Sequence, residues 1–169
     1  ASGDVTGTSK GNRDVWVVKL TALGAITWQR NYGGSNSDTA VSIQQTSDGG
    51  YILAVQTSSS ASGDMTGTTK GSSDYWVVKL TALGDISWQK NYGGSGSDTP
   101  SSIQQTSDGG YFVAGYTNSS ASGDVTGTTK GQQDVWVLKL TATGVISWQK
   151  NYGGSSYDWV ESMQLTSDG

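Results

Sequence analysis

Hydrophobic and polar residues alternate along this chain in short runs, and the runs recur every 60 residues: what begins at Ala1 begins again at Ala61 and Ala121. The first run, Asp14 to Leu20, is rich in β-branched and aromatic residues and apolar on both alternating faces, which predicts a strand covered on both sides. Thr21 to Gly24 then predicts a tight connection, with Gly24 free to take a positive φ. In the next run Ile26, Trp28, Arg30 and Tyr32 share one face and Thr27, Gln29 and Asn31 the other, the pattern of an outer strand with one wet side. Gly33 and Gly34 open a loop through Asp38, and Val41 to Thr46 predicts a short third strand centred on Ile43. Ser47 to Gly50 reads as a hairpin in which Asp48 followed by glycine supplies the positive φ angles of a two-residue turn. Tyr51 to Thr57 is then a fourth strand, and the polar loop Ser58 to Ser73 leads into the next copy.

No segment sustains a helical period, and glycine interrupts the apolar runs. Residues 1–60 and 61–120 align without a gap and are identical at 44 of 60 positions. The chain therefore reads as one repeat domain, 1–169, with copies at 1–60, 61–120 and 121–169, the third cut short. Four antiparallel strands per unit, apolar on both faces, are what a blade sandwiched between neighbours needs, so the expected fold is all-β, a β-propeller-like array of four-stranded blades. A parallel β-helix is the alternative, with coils usually shorter and less punctuated by hairpins.

The phrases DYWVVKL (Asp74 to Leu80), ISWQKNYGG (Ile86 to Gly94) and SIQQTSDGGYFVAG (Ser102 to Gly115) resemble the propeller-type repeats found in tandem in secreted and surface proteins of bacteria and archaea. The resemblance covers all three copies; it implies a propeller and an exported setting, and brings no shared catalytic motif. In the resembling repeats the SIQQ strand is innermost. Counted so, the chain holds two whole blades, 38–92 and 98–152, with partial blades at both ends. Since closed propellers have about four to eight blades, the expected partners are further copies of the chain or the remainder of a longer parent. A start at Ala1 without an initiator methionine or signal segment reads as a processed product or fragment.

Charge narrows the partners. A net charge of −4, with ten basic residues spread through the repeat as surface decoration, offers no footprint for nucleic acid, and no apolar run is long enough to enter a membrane as a helix. The absence of Cys and His removes disulfides and the commonest zinc ligands. Twelve of fourteen acidic residues fall in four repeated series, led by Asp4, Asp14, Asp38 and Asp48, and periodic carboxylates do not suggest the single asymmetric pair that acid-base catalysis needs. No catalytic residue is assigned. The Asp48 series is explained by its turn, and the Asp14 series by capping of backbone donors. Calcium is the one cofactor the loops could hold: Asp64, Thr66, Gly67 and Asp74 share a glycine-containing loop, giving Asp4, Asp14, Asp64, Asp74, Asp124 and Asp134 as candidate ligands.

Seven tryptophans complete the picture. Trp16, Trp76 and Trp136 form one series and Trp28, Trp88 and Trp148 another, both expected in the core between blades. The functional alternative is sugar stacking, with Trp28, Asn31 and Tyr32, Trp88, Asn91 and Tyr92, and Trp148, Asn151 and Tyr152 as one site per repeat. Tyr157, Trp159 and Glu161 are unique to the third copy, and the first two join the candidate ligand residues. Two functions are therefore expected in order: a non-catalytic extracellular or cell-surface scaffold for self-assembly or protein interaction, then a multivalent carbohydrate-binding, lectin-like module.

Overall fold

The computed structural model describes residues 3–166, so Asp168, the last of the Asp48 series, lies outside the described residues. Ten strands and no helix occur there: β1 Val15–Leu20, β2 Ile26–Tyr32, β3 Asp38–Gln45, β4 Tyr51–Thr57, β5 Asp74–Leu80, β6 Ile86–Tyr92, β7 Asp98–Gln105, β8 Tyr111–Thr117, β9 Asp134–Leu140 and β10 Ile146–Tyr152. The all-β reading holds. The strands form a β1–β2 hairpin and two four-stranded meanders, β3–β4–β5–β6 and β7–β8–β9–β10, antiparallel throughout.

Apolar layers lie between successive sheets. Val15, Val17 and Tyr32 of the hairpin pack with Leu53, Val55, Trp76, Val78 and Leu80 of the first meander. The opposite face of that meander, with Ile52, Ala54, Tyr75, Val77 and Tyr92, packs with Ile103, Val113, Trp136, Leu138 and Leu140 of the second. A strand apolar on both faces is thus buried throughout when it has neighbours on both sides, as β5 is, while β1 alternates between buried and open positions.

The first strands of the units stand side by side. Gln105 N donates to Gln44 Oε1 at 2.6 Å, and Leu165 N donates to Gln104 Oε1 at 3.0 Å, one repeat further on. These strands begin three residues before the expected Val41, because Asp38 N donates to Arg13 O and Asp38 itself pairs with Thr57. A bulge between Ala40 and Ser42, repeated between Pro100 and Ser102, marks the same edge. Pro100 is tolerated there since an edge strand and a bulge both relieve the need for its missing N–H.

The hairpin at Asp48 differs from the two-residue turn expected for it. Only Gly49 takes a positive φ, +81°, while Gly49 N donates to Thr46 O and Thr46 N to Gly50 O. That is a longer turn with one left-handed glycine, and Asp48 serves it through its side chain, accepting from Gly50 N at 2.9 Å.

The lysines of one series also depart from surface decoration. Lys79 is buried, with its ammonium 2.8 Å from Asp48 Oδ2 and 3.0 Å from Leu80 O, so β5 pins the turn between β3 and β4. Lys139 repeats this with Asp108 at 2.8 Å.

Candidate functional site at the sheet junctions

Each junction is built around the Gly-Gly that follows β2, β6 or β10. Asp38 receives Gly34 N at 2.8 Å and Ser59 Oγ at 2.9 Å, together with the Thr57 hydroxyl. Asp98 does the same with Gly94 N at 2.7 Å, Ser119 Oγ at 3.0 Å and the Thr117 hydroxyl. On the other side of the glycine, Asp14, Asp74 and Asp134 accept the backbone N–H of Lys10, Lys70 and Lys130. A Cβ on Gly93 would fall 2.5 Å from Asp74 Oδ1 and 2.8 Å from Asp98 Oδ2, so only glycine lets two carboxyl groups approach the chain there.

Crowding of this kind raises the cost of charge. Burial pushes the Asp74 carboxyl up to about 6 from its ordinary 3.8, and burial also raises that of Asp98. Asp74 Oδ1 is buried without a hydrogen-bond partner among the described residues. A carboxyl raised by folding favours the folded state below its unfolded value, and that advantage is lost as pH climbs through the folded one. Asp48 and Asp108 act oppositely: hydrogen bonds from Lys79 and Lys139 hold them well below the usual carboxylate range, and their contribution fades in strong acid. Stability should therefore rise as pH falls from 7 to 5, by about 1 kcal/mol from Asp74. Melting temperatures measured across that interval check this; a flat or falling trend would refute it, and Asp74→Asn should lessen the rise.

Neighbouring copies are tied by ions. Lys10 Nζ lies 2.7 Å from Asp64 Oδ2 and donates to Asn31 O at 2.7 Å. Lys70 Nζ lies 2.9 Å from Asp124 Oδ2 and donates to Asn91 O at 3.1 Å. Asp64 and Asp124 also accept from Gly33 N and Gly93 N. The proposed calcium ligands are thus divided: Asp64 reaches back to the preceding copy, while Asp74 caps its own loop. Among the described residues no group of three or more acidic side chains is arranged to hold a metal ion. The Lys70 and Asp124 pair lines a cleft of about 500 Å³ with Gln89, Asn91 and Tyr92, and the Lys10 and Asp64 pair a smaller cleft of about 400 Å³.

The aromatic candidates divide by copy. Trp28 Nε1 donates to Ala82 O at 3.1 Å, its ring lies edge-on to Tyr51, and the Tyr32 hydroxyl donates to Gly84 O. Tyr92 repeats the last contact with Gly144 O at 2.5 Å, and Trp88 packs against Gly144. Asn31 and Asn91 lie on the other face of their strands, close under Gly7 and Gly67. In the first two copies, then, Trp, Asn and Tyr do not converge on one open surface. In the third, Trp148 and Tyr152 are open, Tyr152 at 50% where Tyr32 and Tyr92 are 4% exposed. Asn151 is partly buried, its amide atoms unpaired among the described residues.

Two further features involve residues unique to the third copy. Trp159, where the earlier copies have Thr39 and Thr99, is 62% exposed; it donates Nε1 to Gln133 Oε1 at 2.8 Å and lies with its ring 6.0 Å from Tyr157. Glu161 joins Val41 and Ser101, its repeat equivalents, in a polar cavity of about 470 Å³ beside β3 and β7. Sequence reasoning singled out Glu161 as unique and missed that the repeat places it opposite these two positions. Compared with known proteins, the chain matches no protein-family profile and no curated protein.

Proposed function

We propose that this chain is a non-catalytic, extracellular β-propeller repeat scaffold acting by self-assembly or by holding a protein partner. The observation that carries it is the contrast between equivalent side chains: Trp76, Trp136, Leu80 and Leu140 are buried between sheets, whereas Trp16 and Leu20 at one end and Trp148 and Tyr152 at the other are open. Faces built to be covered invite a cover. Four-stranded meanders with adjacent first strands suit propeller blades, and the composition and the resembling repeats support an exported setting. The carboxylates of the Asp14, Asp38 and Asp48 series are engaged in capping loops, junctions and turns among the described residues.

The exposed Tyr157 and Trp159 pair, with Trp148, favours carbohydrate binding as the second reading, because an open aromatic face can stack on a sugar ring. Sedimentation from micromolar to millimolar concentration is expected to show mass rising above the monomer, with a blank glycan array. A monomer at every concentration that binds a glycan would replace the scaffold with the lectin-like module.

A further inference from the structure

We infer that the chain binds a second copy of itself head to tail, the Trp148 and Tyr152 face of one copy receiving the β1–β2 hairpin of the next, with Lys130 pairing to Asp4 across the junction. This rests on the scaffold reading and names its partner and contact.

The internal junctions supply the pattern. Lys10 pairs with Asp64 and Lys70 with Asp124, each lysine reaching the aspartate of the following copy. Lys130 is the third lysine of this series, exposed and without a carboxylate partner among the described residues. Asp4 is the first aspartate of the other series, exposed and equally unpaired. Its loop is already shaped for the role: Gln29 Nε2 donates to Asp4 O at 2.8 Å, as Gln89 does to Asp64 O at 2.7 Å, and Gly3 has a φ of +61° beside +58° at Gly63. Gly63 sits against Gly33 O, while a Cβ on Gly3 would meet nothing within 4 Å.

A second contact repeats the same logic. Tyr32 and Tyr92 donate their hydroxyls to Gly84 O and Gly144 O, in turns where Trp28 and Trp88 also pack. Gly24 leads that series with a φ of +81°, close to +84° at Gly84, and a Cβ there would meet nothing within 4 Å. Tyr152 and Trp148 are the open donors, and Gly24 is the open acceptor. The two surfaces differ, so the contact is heterologous, and copies close into a ring or extend as a filament according to the rotation between them. No strand equivalent to β4 or β8 is supplied at this junction by the described residues, which confines the contact to the outer half of the face.

Charge reversal tests the pairing. Lys130→Glu alone and Asp4→Lys alone each set like charges against each other at every junction and should weaken assembly about tenfold. Mixing the two variants restores opposite charges at both alternating junctions, so the mixture should assemble as the unaltered protein does. Both positions are exposed, and unchanged melting curves will show that the variants fold; Tyr152→Glu, on the open apolar face, should block assembly without repair by either charge variant. Assembly that persists unchanged in the variants, or a mixture that stays monomeric while the unaltered chain assembles, overturns this junction and leaves the scaffold reading standing. An unaltered chain that remains monomeric at millimolar concentration also overturns this junction, and the scaffold reading falls with it only if that monomer binds a glycan.

Discussion

Replacing Trp76 or Trp136 with alanine should cost about 3–5 kcal/mol of stability, whereas Trp16→Ala should cost about 1–2 kcal/mol. The three residues hold one repeat position and make the same hydrogen bond, indole N–H to Gln29, Gln89 or Gln149 at 2.9 Å. What separates them is the covering sheet. Trp76 and Trp136 are 0% exposed and Trp16 is 43% exposed, since no sheet of the described residues packs on the outer side of β1. Trp136 also lies 4.9 Å from the Tyr75 ring, so its removal opens a cavity among large side chains that cannot collapse easily. Denaturant unfolding of the three variants measures the difference. Equal losses would mean that the tryptophan is valued for its own sheet alone, and that junction packing contributes little.

The strands were legible because their periodicity is local. Alternation and turn residues marked β1, β2, β4 and their repeats to within a residue, whereas the strand covered on both sides that was expected at Asp14 to Leu20 is met in its repeat β5 and not in β1, which is open on one side. What the sequence concealed lay in contacts between copies. The change from Val15 to Tyr75 reads as an isolated swap, yet the structure places it opposite a change from Val55 to Gly115. A Cβ on Gly115 would fall 2.1 Å from Thr99 O and 2.5 Å from the Tyr75 hydroxyl, so the glycine admits both its own partner strand and the larger side chain of the neighbouring sheet. Lys10 likewise carries no sign that its partner is Asp64 rather than the nearer Asp14. Spacing within a unit cannot disclose which loop of the following unit folds back over its glycines. The candidate sugar site illustrates the same limit: Trp28, Asn31 and Tyr32 are close in sequence, but Asn31 and Tyr32 line a cleft that Trp28 does not join.

Asp98→Ala should cost about 3–5 kcal/mol, while Asp158→Ala at the equivalent position should cost about 1 kcal/mol. Asp98 is fully buried and ends three hydrogen bonds, from Gly94 N, the Thr117 hydroxyl and the Ser119 hydroxyl. Alanine would leave those donors in a site sealed by the loop that follows β8, and an orphaned buried donor forfeits its solvation without return. Asp158 accepts only from Gly154 N, at 2.7 Å, among the described residues, and that amide is exposed to water once the carboxyl is gone. Asp98→Asn separates hydrogen bonding from charge. Its amide oxygen can keep Gly94 N and Ser119, its NH2 can donate to Thr117 Oγ1, and burial already disfavours the charged carboxylate. The asparagine variant should therefore lose less than half of what alanine loses, measured by denaturant unfolding at neutral pH. Equal losses at Asp98 and Asp158 would show that the carboxyl braces only its own Gly-Gly turn, whereas the expected inequality makes it the point where one repeat's glycines are locked by the next strand and loop.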